Sequence, residues 1–199
     1  MSSISLDEVK KLKELTGVGL TDAKNALVEN NGDFDKALEA MRKKGLTKAE
    51  KRGEREAREG LIESYVHSGR IGVLIEINCE TDFVARTDDF KNLAHDVAMH
   101  VAASNPEYIS PDDIPEDVKN AKKAEFTEKV LAEGKPENIA GNIVEGQLKK
   151  YFAEKTLLEQ PFIKDPSTPV GEYVKVYISK LGENIVVRQM KRIELGVSE

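Results

Sequence analysis

The sequence predicts an α+β protein: an N-terminal three-helix module, then a core in which a small antiparallel sheet packs with helices. Apolar residues recur at helical spacing through residues 5–44, with two Gly-containing breaks. Two runs, Leu61 to His67 and Ile71 to Asn78, flank Ser68-Gly69-Arg70 as the arms of a hairpin. A last β-branched run, Glu183 to Ile193, reads as a strand that pairs with that hairpin. These divisions place the module at residues 1–45, a charged linker at 46–60 and the α+β core at 61–199.

In the module, Ser5 and Glu8 have capping-box spacing, and Ile4 with Val9 has hydrophobic-staple spacing. Val9, Leu12 and Leu15 mark the buried side of the first helix, and Thr16-Gly17-Val18-Gly19-Leu20 ends it. Thr21 is the expected cap of the second helix, with Ala23, Ala26 and Leu27 facing inward. Asn30-Asn31-Gly32 breaks that helix, and Asp33 or Asp35 starts the third, with Phe34, Ala37, Leu38 and Met41 on one face and Gly45 as its expected end. The stretch Lys43 to Gly60 carries seven Lys and Arg against four Glu, with Leu46 as its large apolar residue. It reads as a solvated, partly helical linker; a basic surface for RNA or an acidic partner is the alternative, weakened by the interleaved Glu.

Beyond the hairpin, Ile71, Val73, Ile75 and Ile77 share one strand face. A helix over about 88–103 buries Phe90, Leu93, Ala94, Val97, Ala98 and Val101. Asn105-Pro106 and Ser110-Pro111 punctuate an extended connector, and Pro115 opens a charged helix to about Leu131. Gly134-Lys135-Pro136 breaks it before another helix to Glu154, with Ile139, Ile143, Tyr151 and Phe152 as expected buried positions. Leu157 to Ile163 reads as an irregular apolar crossing onto the sheet. Thr168-Pro169 reads as a helix start ahead of Val170, Val174, Tyr177, Ile178 and Leu181, where β-branched content keeps a strand in competition.

Composition removes several function classes. A net charge of −6, and aromatic residues scattered rather than interleaved with basic ones, argue against direct nucleic-acid binding. No apolar run approaches the roughly 20 residues of a membrane helix, and the first residues lack a basic segment followed by an apolar core, so a cytoplasmic location is expected. The single cysteine, Cys79, excludes an internal disulfide and a cysteine-rich zinc site. His95 and His100 are five apart, on different helical faces, and His67 by the hairpin turn reads as a surface residue. Neither a Gly-x-x-x-x-Gly-Lys phosphate loop nor a dinucleotide Gly fingerprint occurs. No cofactor and no catalytic pair is expected.

The most informative stretch is Asn78-Cys79-Glu80-Thr81-Asp82-Phe83-Val84-Ala85-Arg86, where a strand ends and a helix begins. A carboxylate and a phenyl ring stand side by side there, between elements rigid enough to present them with little entropic loss. Local physics also accommodates a purely structural reading: Thr81 as N-cap, Asp82 at the positive end of the helix dipole, Phe83 and Val84 as core. Val84 stands where a capping box would have Glu or Gln.

This stretch closely resembles the Thr-Asp-Phe-Val signature of the bacterial elongation factor Ts family, in its short form. Leu12 to Lys24 is similar to the family's N-terminal domain, a three-helix module of the ubiquitin-associated type. Glu145-Gly146-Gln147-Leu148, Leu157 to Phe162 and Asn184 to Leu195 resemble its later blocks, in the right order. The second core subdomain and coiled-coil insertion of long members are lacking. The resemblance implies a guanine nucleotide exchange factor, not an enzyme, whose partner is elongation factor Tu in GDP-bound and nucleotide-free form. It implies contact through Thr81, Asp82, Phe83 and Val84, with Phe83 wedged between two helices of the partner, and a second contact through Val18, Gly19 and Leu20. Short members include a symmetric dimer, so a homodimer is open. Two rivals remain: an adaptor that binds a ubiquitin-like or nascent-chain partner through its first 45 residues, and an enzyme dependent on Cys79.

Overall fold

Ser5 starts the first helix through a full capping box: its hydroxyl accepts the Glu8 N–H, and the Glu8 carboxylate accepts the Ser5 N–H. The computed structural model describes residues 4–134 and 136–197, so the ends of the expected module and core, Met1 to Ser3 and Ser198 to Glu199, and Lys135 of the expected helix break, lie outside the described residues. Helices α1 (Leu6–Thr16), α2 (Leu20–Glu29) and α3 (Phe34–Glu50) close around Val9, Leu12, Val18, Ala23, Ala26, Leu27, Ala37 and Met41. Three of those eight are alanines, which lets the helices approach closely and build a core from few large side chains. This is the expected module, with three corrections. Leu15 is exposed, and Thr16 takes the inward position, its hydroxyl donating to the Leu12 carbonyl. Gly19 rather than Thr21 is the N-cap of α2, without a side-chain bond. Gly45 does not end α3; it is buried where the helix passes Ser179, with ordinary van der Waals room.

The hairpin forms as expected. Strands β1 (Glu59–His67) and β2 (Ile71–Cys79) pair antiparallel, and the turn between them has Ser68 and Gly69 both at positive φ, the geometry that matches strand twist. Strand β5 (Val186–Glu194) pairs antiparallel with the other side of β2, giving a three-stranded sheet with β2 in the middle. Val73, Ile75 and Ile77 are buried on one face. Between β2 and β5 lie α4 (Asp82–Ala85), α5 (Asp88–Ser104), α6 (Glu116–Ala132), α7 (Glu137–Ala153), the short strands β3 (Pro161–Phe162) and β4 (Asp165–Pro169), and α8 (Val170–Leu181).

Helix α5 covers the buried sheet face: His95 bonds Glu63 of β1, its ring meets Tyr65 edge-on, and Arg192 of β5 donates to the Ala102 carbonyl. All six expected apolar residues of α5 are buried. Each large one contributes about 1.5–3 kcal/mol relative to exposure, whereas exposed ion pairs such as Lys43–Glu39 are screened by water and add little. Apolar burial therefore fixes this layer. Helix α8 runs beside α5, with the Tyr173 hydroxyl donating to Asp96 and Lys180 paired with Asp89. Burial, with Tyr177 and Asp96 as neighbours, holds the Tyr173 phenol above its ordinary value. The helix-or-strand competition for this segment resolves as helix because Val170, Val174 and Ile178 recur every fourth residue on one buried line.

By their internal contacts, residues 1–102 with 172–199 form one unit and residues 103–171 another. In the second unit α6 and α7 form a helical hairpin around Val130, Ala140 and Val144. Ile139, expected inside, is exposed because Ala140 and Val144 occupy the inward line one step later. The segment after Leu157, expected as an irregular crossing onto the sheet, makes its own ladder, β3 with β4. Pro169 ends β4, one residue before the helix it was expected to open.

Two glycines stand where backbones touch. Gly17 (φ +66°) ends α1, and a Cβ on it would lie 2.6 Å from Lys180 Cβ. Gly60 (φ +146°) crosses β2 so closely that a Cβ would lie 2.1 Å from the Ile77 carbonyl oxygen. Paired backbone cannot yield as a flexible side chain can, so Gly60→Ala is expected to lower the unfolding free energy in urea titrations by about 2–4 kcal/mol. Gly72→Ala, on β2 with open space around it, is expected to stay within about 1 kcal/mol.

Candidate functional site

The junction after β2 is built from short-range capping. Thr81 has extended backbone (φ −129°, ψ 153°) and its hydroxyl accepts the Val84 N–H at 3.4 Å, opening α4. Thr87 then caps α5 by accepting the Phe90 N–H at 3.2 Å, while its hydroxyl donates to the Val84 carbonyl. A helix of four residues has almost no stability of its own, because nucleation outweighs so few bonds. It is held by its ends and by Ala85, which is buried.

Asp82 and Phe83 project from this turn. Phe83 is 78% exposed, which removes the reading of Phe83 as core. Asp82 is half-buried in the first turn of α4, and Arg86 one turn on donates to its carboxylate at 2.7 Å. Val84 is half-buried. An exposed phenyl ring beside an acid, on a turn fixed from both sides, offers a partner a large anchor with few torsions to freeze.

A second set of residues, which sequence reasoning missed, surrounds the turn from below. One carboxylate oxygen of Glu183 accepts the N–H groups of Glu80 (3.0 Å) and Thr81 (2.9 Å), and the other accepts the Thr81 hydroxyl (2.6 Å). In return Glu80 accepts the Asn184 N–H at 2.6 Å. The Asn184 side chain donates to the carbonyls of Gly53 and Arg55, and Arg188 bonds Asn78 and the Ala57 carbonyl. Glu183 and Asn184 read from sequence as the first residues of the last strand; that strand begins at Val186, and the two residues precede it.

The other expected contact lies on the module. Val18 is 4% exposed and belongs to the helical core, Gly19 is the exposed N-cap of α2, and Leu20 is 50% exposed. Lys180, against Gly17 in the last turn of α8, and Glu183, against Thr81 just beyond that helix, stand three positions apart. The same short segment therefore underlies both expected patches.

Cys79 is fully buried at the end of β2, its thiol donating to the Thr81 carbonyl at 3.2 Å. Burial first, then the nearby Glu183 carboxylate, push this thiol up from 9.0 to about 11. A thiol so protected carries little thiolate at neutral pH, which speaks against a cysteine nucleophile. Among the described residues no three His, Cys, Asp or Glu are grouped to hold a metal ion, and no helix is long and apolar enough to cross a membrane.

Comparison with known proteins agrees with the sequence resemblance. The family model described as Elongation factor TS matches residues 8–197. Elongation factor Ts of Syntrophomonas wolfei is 51% identical over 194 residues, covering 97% of this chain and 91% of that one. Those of Moorella thermoacetica (52%) and Caldanaerobacter subterraneus (50%) cover the same share of this chain and 96% and 97% of their own lengths. The chain belongs to the elongation factor Ts family, the translation elongation factors of bacterial protein biosynthesis.

Because the folded state holds the Cys79 proton more tightly than the unfolded chain does, this group's contribution to stability is lost as pH rises from about 9.0 toward 11. A thiol reagent at neutral pH is expected to label Cys79 in the folded protein about a hundredfold or more slowly than in urea, with labelling accelerating as the pH approaches that range.

Proposed function

We propose that this chain binds elongation factor Tu, in its GDP-bound and nucleotide-free forms, and accelerates GDP release by disturbing the magnesium and phosphate site of that partner. The observation that carries this reading is the exposed Phe83 ring on a turn anchored at both ends. Family membership supports the partner and a cytoplasmic place of action. No bond is made or broken on this chain in such a reaction, so it acts as an allosteric factor rather than an enzyme. Phe83 enters between two helices of the nucleotide domain, Asp82 meets the displaced surface, and Thr81 and Val84 hold the turn. Leu20 and Gly19 make the second contact, with Val18 as the base beneath them.

Linkage sets what these contacts must do. If the factor weakens GDP binding by some ratio, GDP weakens factor binding by the same ratio. Only contacts stronger to the nucleotide-free partner drive release. A rigid aromatic side chain suits this, since it fills a gap that opens only in the shifted state.

A homodimer is a second proposal, favoured by the outer sheet face. Ile62, Val66, Leu74 and Ile193 are all exposed there, and register puts them on one side of the sheet. Glu76 and Lys191 stand on the same side, opposite charges that a second copy related by a twofold axis would bring into the same contact.

Stopped-flow release of a fluorescent GDP from elongation factor Tu is expected to accelerate strongly with this protein. With Phe83→Ala it is expected to lose most of that acceleration, about 2 kcal/mol or more of coupling, while the exposed position keeps the unfolding free energy within about 0.5 kcal/mol. Absence of acceleration by the parent protein removes the exchange reading. In sedimentation velocity the parent is expected to run as a dimer and Leu74→Lys as a monomer; a monomeric parent at high concentration ends the dimer proposal.

A further inference from the structure

We propose that Glu183 is a positioning residue for the exchange reaction: its carboxylate sets the direction in which Asp82 and Phe83 leave the protein. The inference rests on the exchange function proposed above. Phe83 is 78% exposed, so packing around its ring does not set its direction. Its placement comes from the backbone of α4, a helix too short to define its own axis. Whatever fixes residues 80 and 81 therefore aims the ring together with the Thr87 cap at the other end of α4.

Glu183 does this across 102 positions of sequence. Its carboxylate receives three donors from two consecutive residues, at 3.0, 2.9 and 2.6 Å. The two N–H groups lie just past the last ladder position of β2, where no neighbouring strand can accept them. The third donor, the Thr81 hydroxyl, is the same group that accepts the Val84 N–H. Donating its proton to Glu183 turns a lone pair of that oxygen toward α4, so the carboxylate also orients the cap. The reverse bond, Asn184 N–H to Glu80, prevents the two segments from sliding past one another. The clasp leads directly from α8, whose Lys180 abuts Gly17 beside the module's expected contact. Glu183 thus couples the aim of one contact to the seat of the other.

The test uses the full chain with Glu183→Ala, Glu183→Gln, Phe83→Ala and the Glu183→Ala/Phe83→Ala double variant. Two readouts are taken: amide hydrogen exchange of the free protein, and the maximal rate of GDP release from elongation factor Tu. In Glu183→Ala the Glu80 and Thr81 amides are expected to exchange about tenfold or more faster while those of β2 from Val73 to Ile77 stay unchanged. The maximal release rate is expected to fall about tenfold, and the double variant to be no slower than Phe83→Ala alone, because a ring that is absent cannot be misdirected. Glu183→Gln keeps the length but loses one acceptor oxygen, so it falls between parent and Ala, and decides the matter if the Ala variant does not fold. Unchanged Glu80 and Thr81 amides, a parent-like release rate, or additive losses in the double variant each overturn the proposal. A parent protein that leaves GDP release unaltered overturns the exchange reading instead, and the amide rates alone then decide whether Glu183 holds the turn.

Discussion

The antiparallel register between β2 and β5 is the constraint on which the junction depends. Asn78 pairs with Val186 and Ile77 with Val187, after a one-residue irregularity between Glu76 and Ile77. That pairing brings the residues just before β5 alongside those just after β2. Glu183 and Asn184 then meet Glu80 and Thr81. A slip of one residue would turn Val73, Ile75 and Ile77 to solvent, so burial of that face under α5 locks the register. Hydrophobic burial thereby sets the geometry of a polar clasp.

The clasp and the anchor divide the physical work. Stability resides in the buried face of the sheet and in α5, where side chains such as Phe90, Leu93 and Val97 exclude water. The turn that carries Asp82 and Phe83 adds little to that core. It is nonetheless narrowly defined, because each end has its own hydroxyl cap and its strand side has a carboxylate. An exposed aromatic ring on such a mount approaches a partner already oriented, and the entropy of ordering it has been met during folding.

Much of the fold was legible because the governing forces are local or periodic. The hairpin, the α5 stripe and the Ser5 cap follow from alternation, helical spacing and a four-residue motif. The errors came where one residue had to be assigned inward or outward without knowing its neighbour. Leu15 yields to Thr16, Ile139 yields to Ala140, and Gly45 is buried against Ser179 instead of stopping its helix. For Gly45 a distant element, the helix carrying Ser179, selected the line of contact.

By itself the sequence determined the α+β class, the position of the strand-to-helix junction and the resemblance of Thr81 to Val84 to a recognised signature, since these are written in contiguous residues. Tertiary structure alone decided that Phe83 faces solvent rather than the core, that Cys79 is sealed and its thiol pushed up, and that the Glu183 carboxylate accepts three bonds from Glu80 and Thr81. The physical reason is separation along the chain. Burial and a carboxylate reaching across 102 positions depend on which segments the sheet brings together, and no local pattern around residue 183 records that closure.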